Sequence, residues 1–494
     1  MDHCNTDGQP MNTKRFHLAI DIGASSGRHI VGYVEDGRIM TEEVYRFDNR
    51  QVIVDGHECW DLEELSRHIL DGLRAAADRG MVPETVGIDT WGVDFVLVNE
   101  IGIPVTDAVS YRDSRTDGMP EELDRVIPFD RLYAKCGIQR TKFNTIYQLF
   151  ALKRENPEVF ERAARLLMVP DYLNFVLTGK MVNEYTIAST TSLVNACGKD
   201  WDWEVVDALE LPRRIFGEIS MPGVEVGPFT SAVADYVGFN AKVVLPATHD
   251  TGSAFLSVPE GDDGICISSG TWSLIGIESK DPITTPAALA ANFTNEGGAW
   301  GRFRFIKNIM GLWMVQSIRR ELNGVEYVDG KGSEASRAAL ERLVDYQRGK
   351  NYSYADLEAA ARASSGAGVV FNVNDMCFLN PASMIGEVVM AAEECGGNLS
   401  RVGDLVKSVY ASLAASYAEE VRNISSITGK TYRRLNIVGG GSRDGYLNEL
   451  AAESTGLELA AGPVEGTVIG NLIVQMVYAG IFENLAAARR AIVR

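Results

Sequence analysis

The feature that most constrains this chain is a strand–turn–strand unit that occurs twice. FHLAIDIGASSGRHIV opens the chain, and GICISSGTWSLIGI repeats the pattern in its second half. In the first copy Phe16–Ile22 reads as a buried strand, Gly23–Gly27 as a tight turn and His29–Val34 as the returning strand. Asp36-Gly37 then signals a hairpin into a third antiparallel strand. In the second copy Ile265–Ser268 lead into Ser269-Gly270-Thr271, and Trp272–Ile277 leave it. A repeat at this separation predicts two domains of the same kind, not a short-period solenoid. At 494 residues the chain also exceeds what one core usually serves. The Pro, Gly and Asp of Ser257–Gly264 suit a linker. The expected division is a polar tail over 1–15, a first domain over 16–257 and a second over 258–494.

Between these landmarks helical and strand patterns alternate, which predicts an α/β fold. DLEELSRHILDGLRAAADRG has Asp61 and Glu64 placed as in a capping box. Leu62, Leu65, Ile69 and Leu73 form an apolar stripe, and Gly80 is a stop. VGIDTWGVDFVLV follows as a strand. From Asn308 the pattern reads as helical and puts Asn308, Leu312, Val315 and Gln316 on one face. RRLNIVGGGSRDGYLNEL reads as strand, triple glycine and helix, with Ser442 placed to cap that helix.

Bulk properties exclude several classes. A net charge of −20 repels phosphate backbones, so a nucleic-acid partner is not expected. No run approaches a membrane span, and the N-terminus lacks the apolar core of a signal peptide. Seven cysteines, with no CxxC or Cys/His ligand spacing, read as free thiols in a reducing compartment. A cytoplasmic protein is the expectation.

The turns suggest phosphate chemistry. In IDIGASSGR, Asp21 ends a buried strand, where a bare carboxylate is costly unless a cation lies near. Small residues at Ala24, Ser25, Ser26 and Gly27 let backbone N–H groups approach an anion, and Arg28 adds charge. This set suits a triphosphate with Mg²⁺. An ordinary hairpin with a solvated Asp fits the segment equally well. SSGTWS offers the Thr271 hydroxyl in a second such turn. Gly439, Gly440 and Gly441 allow a planar ring to lie against backbone. No Walker A motif and no opening GxGxxG is present, which disfavours P-loop and dinucleotide folds.

AKVVLPATHDTGSAF supplies a reactive group. Asp250 falls at the start of a helix, whose dipole is expected to keep the carboxylate ionised as a base. His249 and Thr251 flank it and can hold sugar hydroxyls. A capping Asp beside a surface His is the plainer alternative. In GIDTWGVDF, Asp89, Asp94 and Trp91 are the ingredients of a carbohydrate site, and Gly92 allows backbone contact. A structural Trp with two turn acids is the alternative.

Together these segments resemble the FGGY carbohydrate kinases of the actin-like ATPase superfamily. The resemblance runs from about residue 16 onward, through DIGASSGR, GIDTWGVDF, YRDSRT, LTGKM with EYT, HDT, SSGTWSL, NEGGA, KNIMGLW, GGGSRD and AGPVE. It implies two actin-like (ribonuclease H-like) α/β domains with a cleft between them, the first mainly for sugar and the second mainly for ATP. It implies that Ala24, Ser25, Ser26, Gly27 and Arg28 meet ATP phosphates, with Asp21 near Mg²⁺. Gly92, His249, Asp250 and Thr251 would hold the sugar, and Asp250 would accept its proton. Thr271, Asn308, Gln316, Gly440 and Gly441 would meet the nucleotide. The implied reaction is phosphoryl transfer from ATP to the terminal hydroxyl of a ketose, with L-rhamnulose the sugar implied by GIDTWGVDF. Fuculose, xylulose and glycerol are alternatives, and a monomer or weak homodimer is expected. A sugar-sensing regulator would need a DNA-binding module that the opening segment is too short to hold. The segment 325–366 matches none of these motifs.

Overall fold

The opening of the chain folds as its alternation dictates. Strands Phe16–Ile22, Ser26–Glu35 and Arg38–Asp48 pair antiparallel in succession. Asp36 and Gly37 take φ values of 49° and 73° in the second hairpin turn, a conformation Gly and Asp tolerate better than β-branched residues. The computed structural model describes residues 14–258, 263–325, 333–366, 368–379 and 381–492. Residues 1–13 of the expected tail, 259–262 of the expected linker and 326–332 of the unmatched segment lie outside the described residues.

The chain forms two compact units, and neither is continuous in sequence. One comprises 1–260, 278–305 and 466–494, and the other 261–277 and 306–465. The first unit holds a six-stranded sheet. The three opening strands are joined by Pro83–Thr90, Lys242–Val244 and Glu225–Pro228 on the other side of Phe16–Ile22. Pro83–Thr90 runs parallel to both Phe16–Ile22 and Lys242–Val244. Leu18, Ile20, Val86, Ile88 and Val243 are fully buried at its centre. Each such side chain contributes about 1.5–3 kcal/mol by leaving water.

Helix Leu62–Asp78 covers one face with the expected stripe, burying Leu65, Ile69, Leu73 and Ala76. Asp61 caps it by accepting from Glu64 N at 2.9 Å, and Gly80 follows in the left-handed region. On the other face lies helix Gly466–Tyr478, which the chain supplies from near its end. A Cβ on its Gly470 would stand 1.8 Å from Ser253 O. The missing side chain therefore lets this helix press on helix Asp250–Leu256 and fix its position.

The second unit repeats the strand plan. Gly264–Ser269 and Trp272–Ser279 are antiparallel, and beyond the latter lies Phe303–Met310, whose residues 306–310 fall in this unit while 303–305 belong to the first. Arg434–Val438 and Glu458–Ala461 extend the sheet in parallel on the other side. The long helix Val402–Thr428 and helix Gly445–Thr455 belong to this unit.

Two local expectations are corrected. Residues 303–310 form a strand, and helix begins only at Trp313–Leu322. Asn308 and Gln316 therefore sit on different elements, and helical periodicity does not relate them. Gly311 sets the break: a Cβ there would stand 2.5 Å from the backbone carbon of Trp272. The helix after the triple glycine is capped by Asp444, which accepts from Leu447 N at 3.0 Å, and not by Ser442. Ser442 lies in a preceding 3₁₀ turn, Gly440–Arg443.

Candidate active site

In the first unit the parallel strands bring three aspartates to one sheet end. Register places Asp21 beside Asp89, and a bridge from Thr90 to His249 brings in the segment carrying Asp250. Thr90 N donates to Thr248 O at 2.9 Å. The carboxyl ends of parallel strands are where α/β sheets place ligands. The groups interact: burial, and then the Asp21 charge, push the Asp89 carboxyl well above its ordinary range. Asn471 opposes this by donating from Nδ2 to Asp89 Oδ2 at 2.5 Å.

Asp21 faces Arg28 across the first hairpin, and Arg28 Nε and Nη2 both donate to its Oδ2, at 3.0 and 2.7 Å. The cation expected beside this buried acid is thus on the returning strand. The turn is tight, with Gly23 N donating to Ser26 O at 2.9 Å and Asn49 holding Gly23 O and Ser25 O. Ser25 is exposed, and Ala24 and Ser26 are half-buried. At Gly27 a Cβ would fall 2.1 Å from the Phe47 ring, so packing already demands that glycine.

His249 is the N-cap residue of helix Asp250–Leu256, and Asp250 is its first residue. Asp250 Oδ1 accepts from Thr251 N at 2.5 Å and Thr251 Oγ1 at 3.0 Å. Burial raises the Asp250 carboxyl above the ordinary value, His249 pulls it back, and the Asp21 charge raises it further. Gly92 meets His249, since a Cβ there would lie 3.1 Å from its Nε2.

Sequence reasoning assigned no role to Glu184, Glu296 or Arg304, although EYT and NEGGA contain two of them. The fully buried Glu184 accepts from Thr186 N and Oγ1, Ile187 N, and Thr248 N and Oγ1. Thr186 Oγ1 in turn accepts from His249 N at 3.2 Å. This network sets the backbone of the His249–Thr251 segment. Glu296 and Arg304, both buried, meet the His249 ring. Their signal in sequence is a charge between two phenylalanines at Arg304 and a charge directly before Gly297-Gly298 at Glu296.

Asp94 and Trp91 prove to be structural. Asp94 Oδ2 accepts from Trp60 Nε1, Trp91 Nε1 and Tyr111 N at 2.6, 3.0 and 3.1 Å, and Oδ1 accepts from Gln148 Nε2 at 3.0 Å. Trp91 packs on Trp60 with ring centroids 4.2 Å apart. Both side chains are committed to the core.

In the second unit the turn at Gly270 and Thr271 is held from behind. Gly270 O accepts from Leu312 N and Thr271 O from Trp313 N, at 3.0 and 3.1 Å. Asn308 Oδ1 is buried without a hydrogen-bond partner among the described residues, while Gln316 is half-buried on the following helix. Of the three glycines, Gly439 and Gly441 pack on Ser269, where a Cβ would come within 2.8 Å of Ser269 O and 1.9 Å of Ser269 Oγ respectively. A Cβ at Gly440 would meet nothing within 4 Å. Internal packing therefore accounts for two of these glycines and leaves Gly440 to another cause.

Among the described residues no helix is long and apolar enough to cross a membrane, and Cys59, Cys136, Cys197, Cys377 and Cys395 are free thiols. Comparison with solved structures gives the fold. Gluconate kinase from Lactobacillus acidophilus superimposes with a TM-score of 0.77 at 15% identity, covering 97% of this chain and 92% of that one. Plasmodium falciparum glycerol kinase with ADP gives 0.72 at 14% identity over 97% of this chain and 92% of that one. The fold is that of the carbohydrate kinases, with two sheet-containing domains. Sequence relatives are nearer. A protein named rhamnulokinase from Oceanobacillus iheyensis is 45% identical over 477 residues, 96% of each chain. Another of that name from Bacillus subtilis is 38% identical over 96% of this chain and 93% of its own. Residues 16–257 match the N-terminal domain of the FGGY family of carbohydrate kinases, and residues 265–479 match its C-terminal domain. The chain belongs to the FGGY family of carbohydrate kinases.

Proposed function

We propose that this chain is an L-rhamnulose kinase that transfers the γ-phosphate of ATP to the terminal hydroxyl and forms L-rhamnulose 1-phosphate. The observation that carries the reading is Asp250, held by Thr251 beside the His249 ring and Gly92 at the carboxyl end of parallel strands. Relatives named rhamnulokinase at 37–45% identity support the choice of sugar.

In this reading Asp250 accepts the proton of the attacking hydroxyl, and its main contribution is to aim that oxygen. His249, Thr251 and Gly92 bind the sugar. Ala24, Ser25, Ser26, Gly27 and Arg28 receive the phosphates. Thr271, Asn308, Gln316, Gly440 and Gly441 receive the rest of the nucleotide. Residues 16–257 supply most of the sugar contacts and 258–494 most of those to ATP.

Magnesium suits the donors present. No cluster of three or more His, Cys, Asp or Glu ligands forms among the described residues. Mg²⁺ needs only one or two carboxylates and otherwise keeps waters and phosphate oxygens. Asp21 would hold it, and the ion would neutralise charge on the transferred phosphate.

Incubation with ATP, Mg²⁺ and L-rhamnulose tests the reading. ³¹P NMR should show a sugar 1-phosphate formed in step with ADP. ADP release without a phosphorylated sugar would contradict it.

A further inference from the structure

Arg304 heads the large side chains that are fully buried. It lies between Phe303 and Phe305 on the strand Phe303–Met310, and its charged end does not return to solvent. Nε donates to Gly297 O at 3.0 Å. Nη2 donates to His249 Nδ1 at 3.0 Å and lies 3.2 Å from Glu296 Oε2. Glu296 Oε2 is itself 3.1 Å from Nδ1. The Arg304 contact has hydrogen-bond geometry, and the Glu296 Oε2 contact does not.

An arginine has donors and no acceptor, so Nδ1 must present its lone pair to Arg304. The ring's N–H is then on Nε2. Nε2 is the nitrogen that faces the sugar end: Gly92 lies against it and Asp250 Oδ1 is 3.5 Å away. Stability alone does not account for the pair, because a buried ion pair usually gains little over apolar side chains of the same size. Arg304 Nη1 also finds no hydrogen-bond partner among the described residues.

We propose that Arg304, neutralised by Glu296, is a positioning residue that fixes His249 as a hydrogen-bond donor through Nε2 to an oxygen of the ketose, and so selects sugars with an oxygen at that place. Arg304 does not touch the sugar. It sets which ring nitrogen carries the proton, and His249 makes the contact. The Glu296 carboxylate can neutralise it because it stays ionised. Burial raises its pKa, but the Arg304 charge more than offsets that and holds it below the ordinary value. The inference rests on the kinase reading of the same site.

The test combines a tautomer measurement with paired variants. With ¹⁵N-histidine label, the His249 signal, assigned by its loss in His249→Gln, should show a bare Nδ1 and a protonated Nε2. Removing one charge alone would strand the other in the interior, so Arg304→Met and Glu296→Met are combined. The folded double variant should raise the sugar KM about ten-fold or more, with the ATP KM changed less than about two-fold. Glutamine at 249 donates through an amide that needs no tautomer. On that background the double change should alter the sugar KM by less than about three-fold. A protonated Nδ1, a wild-type sugar KM in the folded double variant, or a full further loss in the His249→Gln background would overturn the proposal. If the double variant does not fold, the tautomer of the wild-type protein decides. Kinetics are read with whichever ketose the wild type turns over, so an error in the sugar leaves this test intact. Absence of any sugar-dependent ADP release would instead defeat the kinase reading.

Discussion

Asn471 reaches across 382 positions of sequence to donate its side-chain amide to the buried carboxylate of Asp89 at 2.5 Å. Four residues further on, Gln475 Nε2 donates to Asn471 Oδ1 at 2.6 Å and to Leu18 O at 3.0 Å, while its Oε1 accepts from Thr85 Oγ1 at 2.7 Å. One polar edge of an apolar helix thus stitches the end of the chain to the strands that carry Asp21 and Asp89. The row at positions i and i+4 is legible in GTVIGNLIVQM.

Asp89 carries a stability cost that can be removed. Its folded pKa lies well above the unfolded value, chiefly through burial. Ionising it in the fold is unfavourable. The cost is absent below the ordinary carboxylate range and grows as pH rises from there to the folded pKa. Asp89→Asn should therefore melt above wild type near neutral pH, with the difference shrinking as pH falls. A variant that melts lower near neutral pH would contradict this account.

Asp250, as the proposed base, should set the acid limb of activity. A base must be ionised, and burial shifts this one upward. The fall of kcat/KM with decreasing pH should lie above the usual carboxylate range. Asp250→Asn should lower kcat about 10²–10⁴-fold while calorimetry still detects sugar binding. Near-normal turnover in that variant would remove Asp250 from its role.

Gly440 and Gly441 should respond differently to the same substitution. Gly441→Ala puts a Cβ 1.9 Å from Ser269 Oγ and should cost about 1–3 kcal/mol in thermal or denaturant unfolding. Gly440→Ala meets no protein atom and should change stability by less than about 0.5 kcal/mol. Its effect should appear in the ATP KM, with the sugar KM unchanged. An unaltered ATP KM would remove Gly440 from the nucleotide site.

Glu184 tests how far the scaffold governs the chemistry. Glu184→Ala strands the Thr186 and Thr248 donors and should destabilise the fold by about 3–5 kcal/mol. Glu184→Gln keeps one oxygen acceptor and should lose less. If both variants unfold like wild type, the network does not set the segment around His249.

The parts of this fold legible in sequence are those that local chemistry decides. The strand Phe16–Ile22, the Asp36-Gly37 turn, the Leu65–Ile69–Leu73 stripe and the helix start at Asp250 follow from alternation, turn residues and caps. The strand Phe303–Met310 was hidden because its apolar residues continue without a polar break into the helix after Gly311. Asp94 looked like a sugar ligand because a strand-exit acid beside an indole has that chemistry, but two indole N–H groups claim it. The Arg304–Glu296–His249 contact joins residues from separate segments, and no spacing rule encodes which ring nitrogen is met.

The choice of sugar is decided by kcat/KM for ATP-dependent phosphorylation across a panel of L-rhamnulose, L-fuculose, D-xylulose and glycerol. L-rhamnulose should exceed each of the others by about ten-fold or more, the margin of one well-made polar contact. Equal or faster turnover of any of the other three would contradict that choice.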